Sequence, residues 1–165
     1  MRPDASPIEE RALPGEWRYV ADAVMGGVSR GGLTEAVVAG RPALRLAGTV
    51  STENDGGFIQ ASLGLAGDAP FEASAWLGIA LDVIGNDERY ELRLRTDGLD
   101  RPWQSFRFAF RAARGWTTLR VAFADFEPHR TDRPFDAARL ARLGVLAVGR
   151  AFEAEVAFAA PRLWR

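Results

Sequence analysis

Arg89-Tyr90-Glu91-Leu92-Arg93-Leu94-Arg95 decides the fold class. In an extended chain Tyr90, Leu92 and Leu94 share one face, while Arg89, Glu91, Arg93 and Arg95 share the other. Such a strand buries one side and wets the other, as strands of antiparallel sheets do. Working outward, Phe106, Phe108 and Phe110 repeat the pattern opposite Arg107, Ala109 and Arg111. Leu119, Val121 and Phe123 form a third set, and Phe152, Ala154, Val156 and Phe158 a fourth, with Glu153 and Glu155 outward. Further strands are expected at Leu33–Ala39, Leu44–Val50, Phe58–Leu63, Leu77–Ile84 and Leu143–Val148.

Turn signals separate these runs: Gly31-Gly32, Gly40-Arg41-Pro42, Asp55-Gly56-Gly57, Gly85-Asn86-Asp87 and Asp97-Gly98. Strands recurring every ten residues or so, bounded by such turns, point to a sandwich or barrel. Two sheets face to face would bury the phenylalanine rows against each other. One short helix is expected, capped by Asp136 with Leu140 and Leu143 on one side. The expectation is a jelly-roll β-sandwich of about nine to eleven strands. Residues 1–15, rich in proline and charge, read as a flexible arm or a loosely draped edge, and 16–165 as a single β-sandwich domain.

Composition narrows the function classes. The chain has 165 residues, a size for one domain able to fold without metals or disulfides. It has no cysteine, which excludes thiolate metal sites, Fe–S clusters and cysteine nucleophiles. Its 21 basic residues are all arginine, against 22 acidic ones, giving a net charge of -1 and no basic stripe for nucleic acid. The absence of lysine fits either an arginine-favouring codon usage or selection for bidentate anion recognition. The start of the chain has no apolar signal core, and no apolar run approaches the ~20 residues of a membrane span. The expected location is the cytoplasm, with peripheral contact to the inner membrane as an extension.

Catalytic groups are scarce. The one histidine, His129, lies among proline and arginine and reads as a solvated loop residue. No Gly-x-Ser-x-Gly elbow accompanies it. Asp22 and Asp55 could pair as glycosidase carboxylates, but among 22 acids that is no signal. Glu53, Asn54 and Asp55 read as a turn whose side chains bond the local backbone, with a calcium-type site as the alternative. No catalytic residue, metal or cofactor is expected.

Two glycine-rich segments remain: Asp22-Ala23-Val24-Met25-Gly26-Gly27-Val28-Ser29, preceded by Trp17, and Ser51-Thr52-Glu53-Asn54-Asp55-Gly56-Gly57-Phe58. Adjacent glycines allow positive φ and close backbone approach. After them, in order, come Gly78 opening a strand, Tyr90-x-Leu92-x-Leu94-Arg95, Trp103-x-Ser105-Phe106, Gly115-Trp116, Phe123-x-x-Phe126-x-Pro128 and the strand Phe152–Phe158. This order resembles the complex I intermediate-associated protein 30 family over about Trp17 to Phe158. The resemblance implies a galactose-binding-domain-like jelly roll. It also implies a non-catalytic, chaperone-like role in assembly of respiratory NADH:ubiquinone oxidoreductase, as for the mitochondrial member. Ala23 stands where the family usually has glycine and Phe106 where tyrosine is usual, and Arg130–Arg133 lack the common Arg-Gly, departures that bear on ligand chemistry more than on fold.

The expected partner surface gathers Trp17, Asp22, Met25, Gly26, Gly27, Ser29, Asn54, Gly56, Gly57, Arg95, Trp103 and Arg107. Arg93, Arg95 and Arg107 project from neighbouring strands beside Trp103 and Gln104, a group suited to an acidic peptide or a sugar, or else a solvated face with Glu91 as partner. Trp116 is expected in the core or at its rim, and Trp76 closing a turn. The expected partners are respiratory complex subunits, with carbohydrate as the alternative.

Overall fold

The period-two runs become twelve strands and no α-helix in the computed structural model, which describes residues 7–165. In chain order they are β1 (Glu10–Ala12), β2 (Trp17–Ala21), β3 (Arg30–Val38), β4 (Arg41–Val50), β5 (Phe58–Gly64) and β6 (Gly78–Gly85). Then follow β7 (Arg89–Thr96), β8 (Ser105–Arg111), β9 (Thr117–Ala122), β10 (Glu127–His129), β11 (Leu140–Val148) and β12 (Phe152–Trp164). All pairings are antiparallel. The first sheet runs β3-β4-β12-β6-β9, with β1 also on β12; the second runs β10-β8-β7-β11-β5-β2.

The inner faces supply the core. Tyr90, Leu92, Leu94, Phe106, Leu143 and Val145 of the second sheet meet Leu46, Ile79, Leu81, Val83, Val156 and Phe158 of the first, all at most 1% exposed. Phe106 abuts Phe135 edge to face at 5.2 Å between ring centroids. Tyr90 is buried with its hydroxyl satisfied: it donates to Asn86 Oδ1 at 2.6 Å and accepts from Glu155 N at 2.9 Å. Burial is the main cause of its pKa being pushed up to about 12.

Three expectations need correction. The stretch expected to be an arm contains β1: Arg11 pairs with Leu163, Glu9 and Arg165 exchange backbone hydrogen bonds, and Leu13 is buried. Beyond the β12 irregularity at Ala160 and Pro161, β4 no longer accompanies the strand, and β1 takes up the vacated edge. Residues 1–6 of the expected arm lie outside the described residues. The short helix is a 3-10 turn, Ala137–Arg139, with the expected cap: Asp136 Oδ1 accepts from Ala138 N at 3.0 Å. Leu140 and Leu143 are not on it but in β11, where their burial comes from sheet pairing. His129 is not in a solvated loop; it closes β10, partly buried, opposite Ser105.

Candidate functional site

The two glycine-rich segments fold onto one buried carboxylate. Asp22 follows β2 and is 0% exposed. Its Oδ1 accepts from Ser29 N at 3.0 Å; its Oδ2 accepts from Ser29 Oγ at 2.5 Å, Gly57 N at 2.7 Å and Phe58 N at 3.2 Å. Ser29, also buried, accepts from Ser51 N at 2.8 Å, so the β2–β3 and β4–β5 connections are tied together through two side chains. Burial alone would raise the Asp22 pKa; the hydrogen bonds from Ser29, Gly57 and Phe58 outweigh it and hold the carboxyl below its usual value.

This clasp explains the glycines. A Cβ on Gly27 would stand 2.6 Å from Asp22 Oδ1, and one on Gly56 2.6 Å from Oδ2, closer than non-bonded atoms approach. Asp22, Gly27, Ser29, Gly56 and Gly57 therefore shape the fold at this point and present no carboxylate to a partner. Met25, 59% exposed, and the exposed Gly26 and Asn54 lie on the outside of the two segments. Asn54 and Asp55 sit in left-handed backbone, with φ of 56° and 59°. The turn at Glu53–Asp55 is held locally, Ser51 Oγ accepting from Glu53 N at 3.2 Å. Among the described residues no group of three or more His, Asp or Glu side chains is placed to hold a metal.

Arg95, Trp103 and Arg107 lie elsewhere, on the outer face of the second sheet. Alternation along β7 and β8 aims Arg93, Arg95, Ser105 and Arg107 away from the core, and cross-strand register sets Arg107 beside Arg93 and Arg93 beside Gly144. In the next row Arg95 lies beside Arg142. Arg95 Nη1 donates to the carbonyls of Arg101, at 2.9 Å, Pro102 and Gln104, so it fixes the loop that carries Trp103. Trp103 remains 55% exposed at the mouth of a cleft of about 90 Å³. Gln60, Arg93, Ser105, Arg142 and Gly144 line its interior.

The charge on this face is one-sided. Glu91 takes Arg93 at 2.8 Å and stands 3.8 Å from Arg107. Among the described residues neither Arg95 nor Arg142 has a carboxylate within ion-pair distance. Burial and then the charge of Arg142 lower the Arg95 pKa. Burial, followed by Arg107, Arg93 and Arg130, likewise lowers that of His129, while Glu91 works the other way.

Trp17 joins neither group. It packs on Phe158 at 4.7 Å between centroids and walls a larger groove, about 750 Å³, at the edge of the sandwich. Leu44, Pro42 and Val37 make that groove apolar, with Glu35 its one charged lining residue. Trp76 closes the expected turn, its N–H bonded to Ala73 O at 3.0 Å, and Trp116 is at the rim, its indole bonded to Val38 O at 2.9 Å. Phe106 faces the core, so the hydroxyl it lacks would not have reached the arginine face. Gln60, Arg142 and Gly144 were not among the expected site residues, although Gln60 alternates with buried Ile59 and Ala61 and could have been placed outward.

The family model of complex I intermediate-associated protein 30 matches residues 8–155. The chain belongs to this family. No curated protein sequence matches it. Among solved structures, it is similar to the family 11 carbohydrate-binding module of Clostridium thermocellum in complex with a β-1,3-1,4-mixed-linked tetrasaccharide. That match has a TM-score of 0.74 at 12% identity over 96% of each chain. A family 30 carbohydrate-binding module of a Clostridium thermocellum cellulosomal cellulase gives 0.65 at 14% identity, over 96% of this chain and 97% of that one. An exo-β-agarase gives 0.57 at 10% identity, over 92% of this chain but 23% of the enzyme. At these identities the likeness is one of fold: this member of the protein 30 family is a jelly-roll sandwich of the galactose-binding kind.

Proposed function

We propose that this protein is a non-catalytic interaction module that acts as a chaperone-like assembly factor for respiratory NADH:ubiquinone oxidoreductase, in the cytoplasm or against the inner membrane. Family membership supports the reading, and the observation that carries it is the arginine face of the second sheet. There Arg93, Arg95 and Arg142 line a cleft with the exposed Trp103, Arg107 stands beside Arg93 across the strand pair, and the acids on the same face are Glu91, paired with Arg93, and Glu127, across from Arg107. Exposed tryptophan and arginine are the residue types that most often dominate protein–protein binding energy. An arginine left without its carboxylate costs less when a partner brings one. No helix among the described residues is long and apolar enough to cross a membrane.

Affinity capture from the source cells with mild cross-linking tests this. Respiratory subunits should be enriched with the wild-type chain and lost with the Trp103→Ala/Arg107→Ala double variant, which should stay folded. Intact capture by that variant would refute the surface.

The second reading is a carbohydrate-binding module. It is favoured by one observation, an exposed tryptophan beside arginine and glutamine at a cleft, on a fold shared with glycan-binding modules. A flat response across a neutral glycan panel removes it.

A further inference from the structure

We infer that the cleft beneath Trp103 is a receptor for a carboxylate carried on an acidic segment of a partner protein, an inference that rests on the interaction reading above. The cleft is lined by more donors than acceptors: the guanidinium groups of Arg93, Arg95 and Arg142 against the Gln60 amide oxygen and the Ser105 hydroxyl. Arg93 and Arg142 flank Gly144, Arg93 across the strand pair and Arg142 two residues earlier on the same face. No carboxylate lines the cleft, and Gln104 Oε1 is already occupied by the N–H groups of Asp100 and Arg101, each at 3.1 Å. A neutral sugar hydroxyl donates as well as accepts, so this lining meets half of its needs; a carboxylate only accepts.

Ser105 adds an independent sign. It lines the cleft, is 4% exposed, and its hydroxyl has no hydrogen-bond partner among the described residues. A buried hydroxyl without a partner is unfavourable, and an entering oxygen would relieve that. Gly144 makes room for the Gln60 amide, whose nitrogen lies 2.6 Å from where a Cβ would stand, so the Gln60 side chain is seated over the cleft floor. The walls are rigid: Arg95 locks the Trp103 loop through three carbonyls.

The layout favours a segment over a lone ion. Arg107, Arg93 and Gly144 occupy one row across three strands, and two strand spacings amount to ~10 Å, the reach of about three extended residues. One carboxylate can enter beside Arg142 while a second meets Arg107, whose contact with Glu91 is long at 3.8 Å.

The probe is a hexaglutamate peptide titrated into the full chain at low salt, with hexaserine and an oligogalacturonate as comparators. Two readouts apply: tryptophan fluorescence referenced to Trp103→Phe, and the NMR titration of the sole imidazole, His129. Hexaglutamate should bind, perturb Trp103 and raise the His129 pKa by adding negative charge near Arg107. Arg142→Gln and Ser105→Ala should each weaken binding, the former by roughly tenfold, with the thermal midpoint unchanged for Arg142→Gln and raised for Ser105→Ala, which removes an unpartnered buried hydroxyl. Absence of hexaglutamate binding, or equal binding by Arg142→Gln, overturns the inference. Tighter binding of oligogalacturonate overturns it in favour of an acidic glycan. Capture of a partner that is lost with Trp103→Ala/Arg107→Ala but unaffected by Arg142→Gln overturns the inference while leaving the interaction reading standing. Absence of any captured partner removes that reading itself.

Discussion

The Asp22 clasp and the Trp103 cleft are inverse cases of one chemistry. In the clasp a single carboxylate collects four hydrogen bonds from Ser29, Gly57 and Phe58 and is sealed from water. In the cleft, guanidinium groups and a serine hydroxyl converge on a space that no acid lines. The first region is complete and therefore structural. The second is the face proposed above to receive an acidic segment. The most conspicuous motif in the sequence thus builds the fold, and the less conspicuous strand face carries the proposed site.

The outer face of the first sheet supports the distinction. There Asp82 takes Arg41 at 2.8 Å, Arg162 at 3.3 Å and Thr118 at 2.6 Å, and Glu10 takes Arg162 at 2.8 Å and Arg120 at 3.1 Å. Arginines are as evident on that sheet as on the other, and Arg41, Arg120 and Arg162 are each matched to an acid.

Removing the acid from the clasp should have the largest effect. Asp22→Ala leaves the N–H groups of Ser29, Gly57 and Phe58 without an acceptor and should lower stability by about 3–5 kcal/mol, read from urea unfolding. A loss under about 1 kcal/mol would show that the clasp is dispensable and break the contrast. Gly27→Ala, which forces a methyl onto the Asp22 carboxyl, should cost about 1–3 kcal/mol in the same assay.

Acid should undo the clasp selectively. The Asp22 pKa is lowered in the folded protein, so its ionised form contributes stability above the unfolded value near 3.9, and that contribution fades as pH falls through the folded pKa. The stability advantage of wild type over Asp22→Asn should therefore shrink below about pH 4. A gap that persists well below that pH would mean the carboxylate's charge is not what holds the two segments together. Smallest of all should be the effect of Arg142→Gln on stability, within about 1 kcal/mol, because no acid loses its partner and only the 3.2 Å bond to Ser62 Oγ is given up. A much larger loss would make Arg142 a structural residue like Asp22.

Much of this was legible in the residues. Alternation at Tyr90–Leu94 and Phe152–Phe158 placed those strands and their inward faces, because the pleat reverses the side chain at each residue. The glycine pairs marked the right segments, but their role could not be read without knowing that Asp22 turns inward between them. Two arginines of the face, Arg95 and Arg107, were accessible from alternation alone. Gln60 could be placed outward by its alternation with Ile59 and Ala61, but that it joins Arg142 and Gly144 beside this face could not be read, because strand order is a long-range property: β11 lies between β7 and β5, and nothing local to residues 140–148 announces those neighbours. Trp17 was misplaced for the opposite reason, since an aromatic near a glycine-rich turn gives no sign that Phe158, far along the chain, will cover it.

The position of β12 bears on how the chain acquires its fold. Of the twelve strands this one is synthesised last, yet it is central in the first sheet, between β4 and β6 and beside β1. Until residues 152–164 leave the ribosome, β4 and β6 each carry an edge with unsatisfied peptide groups and an uncovered apolar side. The first sheet therefore closes after translation of its region is complete, in a slow step dominated by pairings between distant segments. A nascent chain stalled before Phe152 would be a target for quality-control proteases while its second sheet was already largely present.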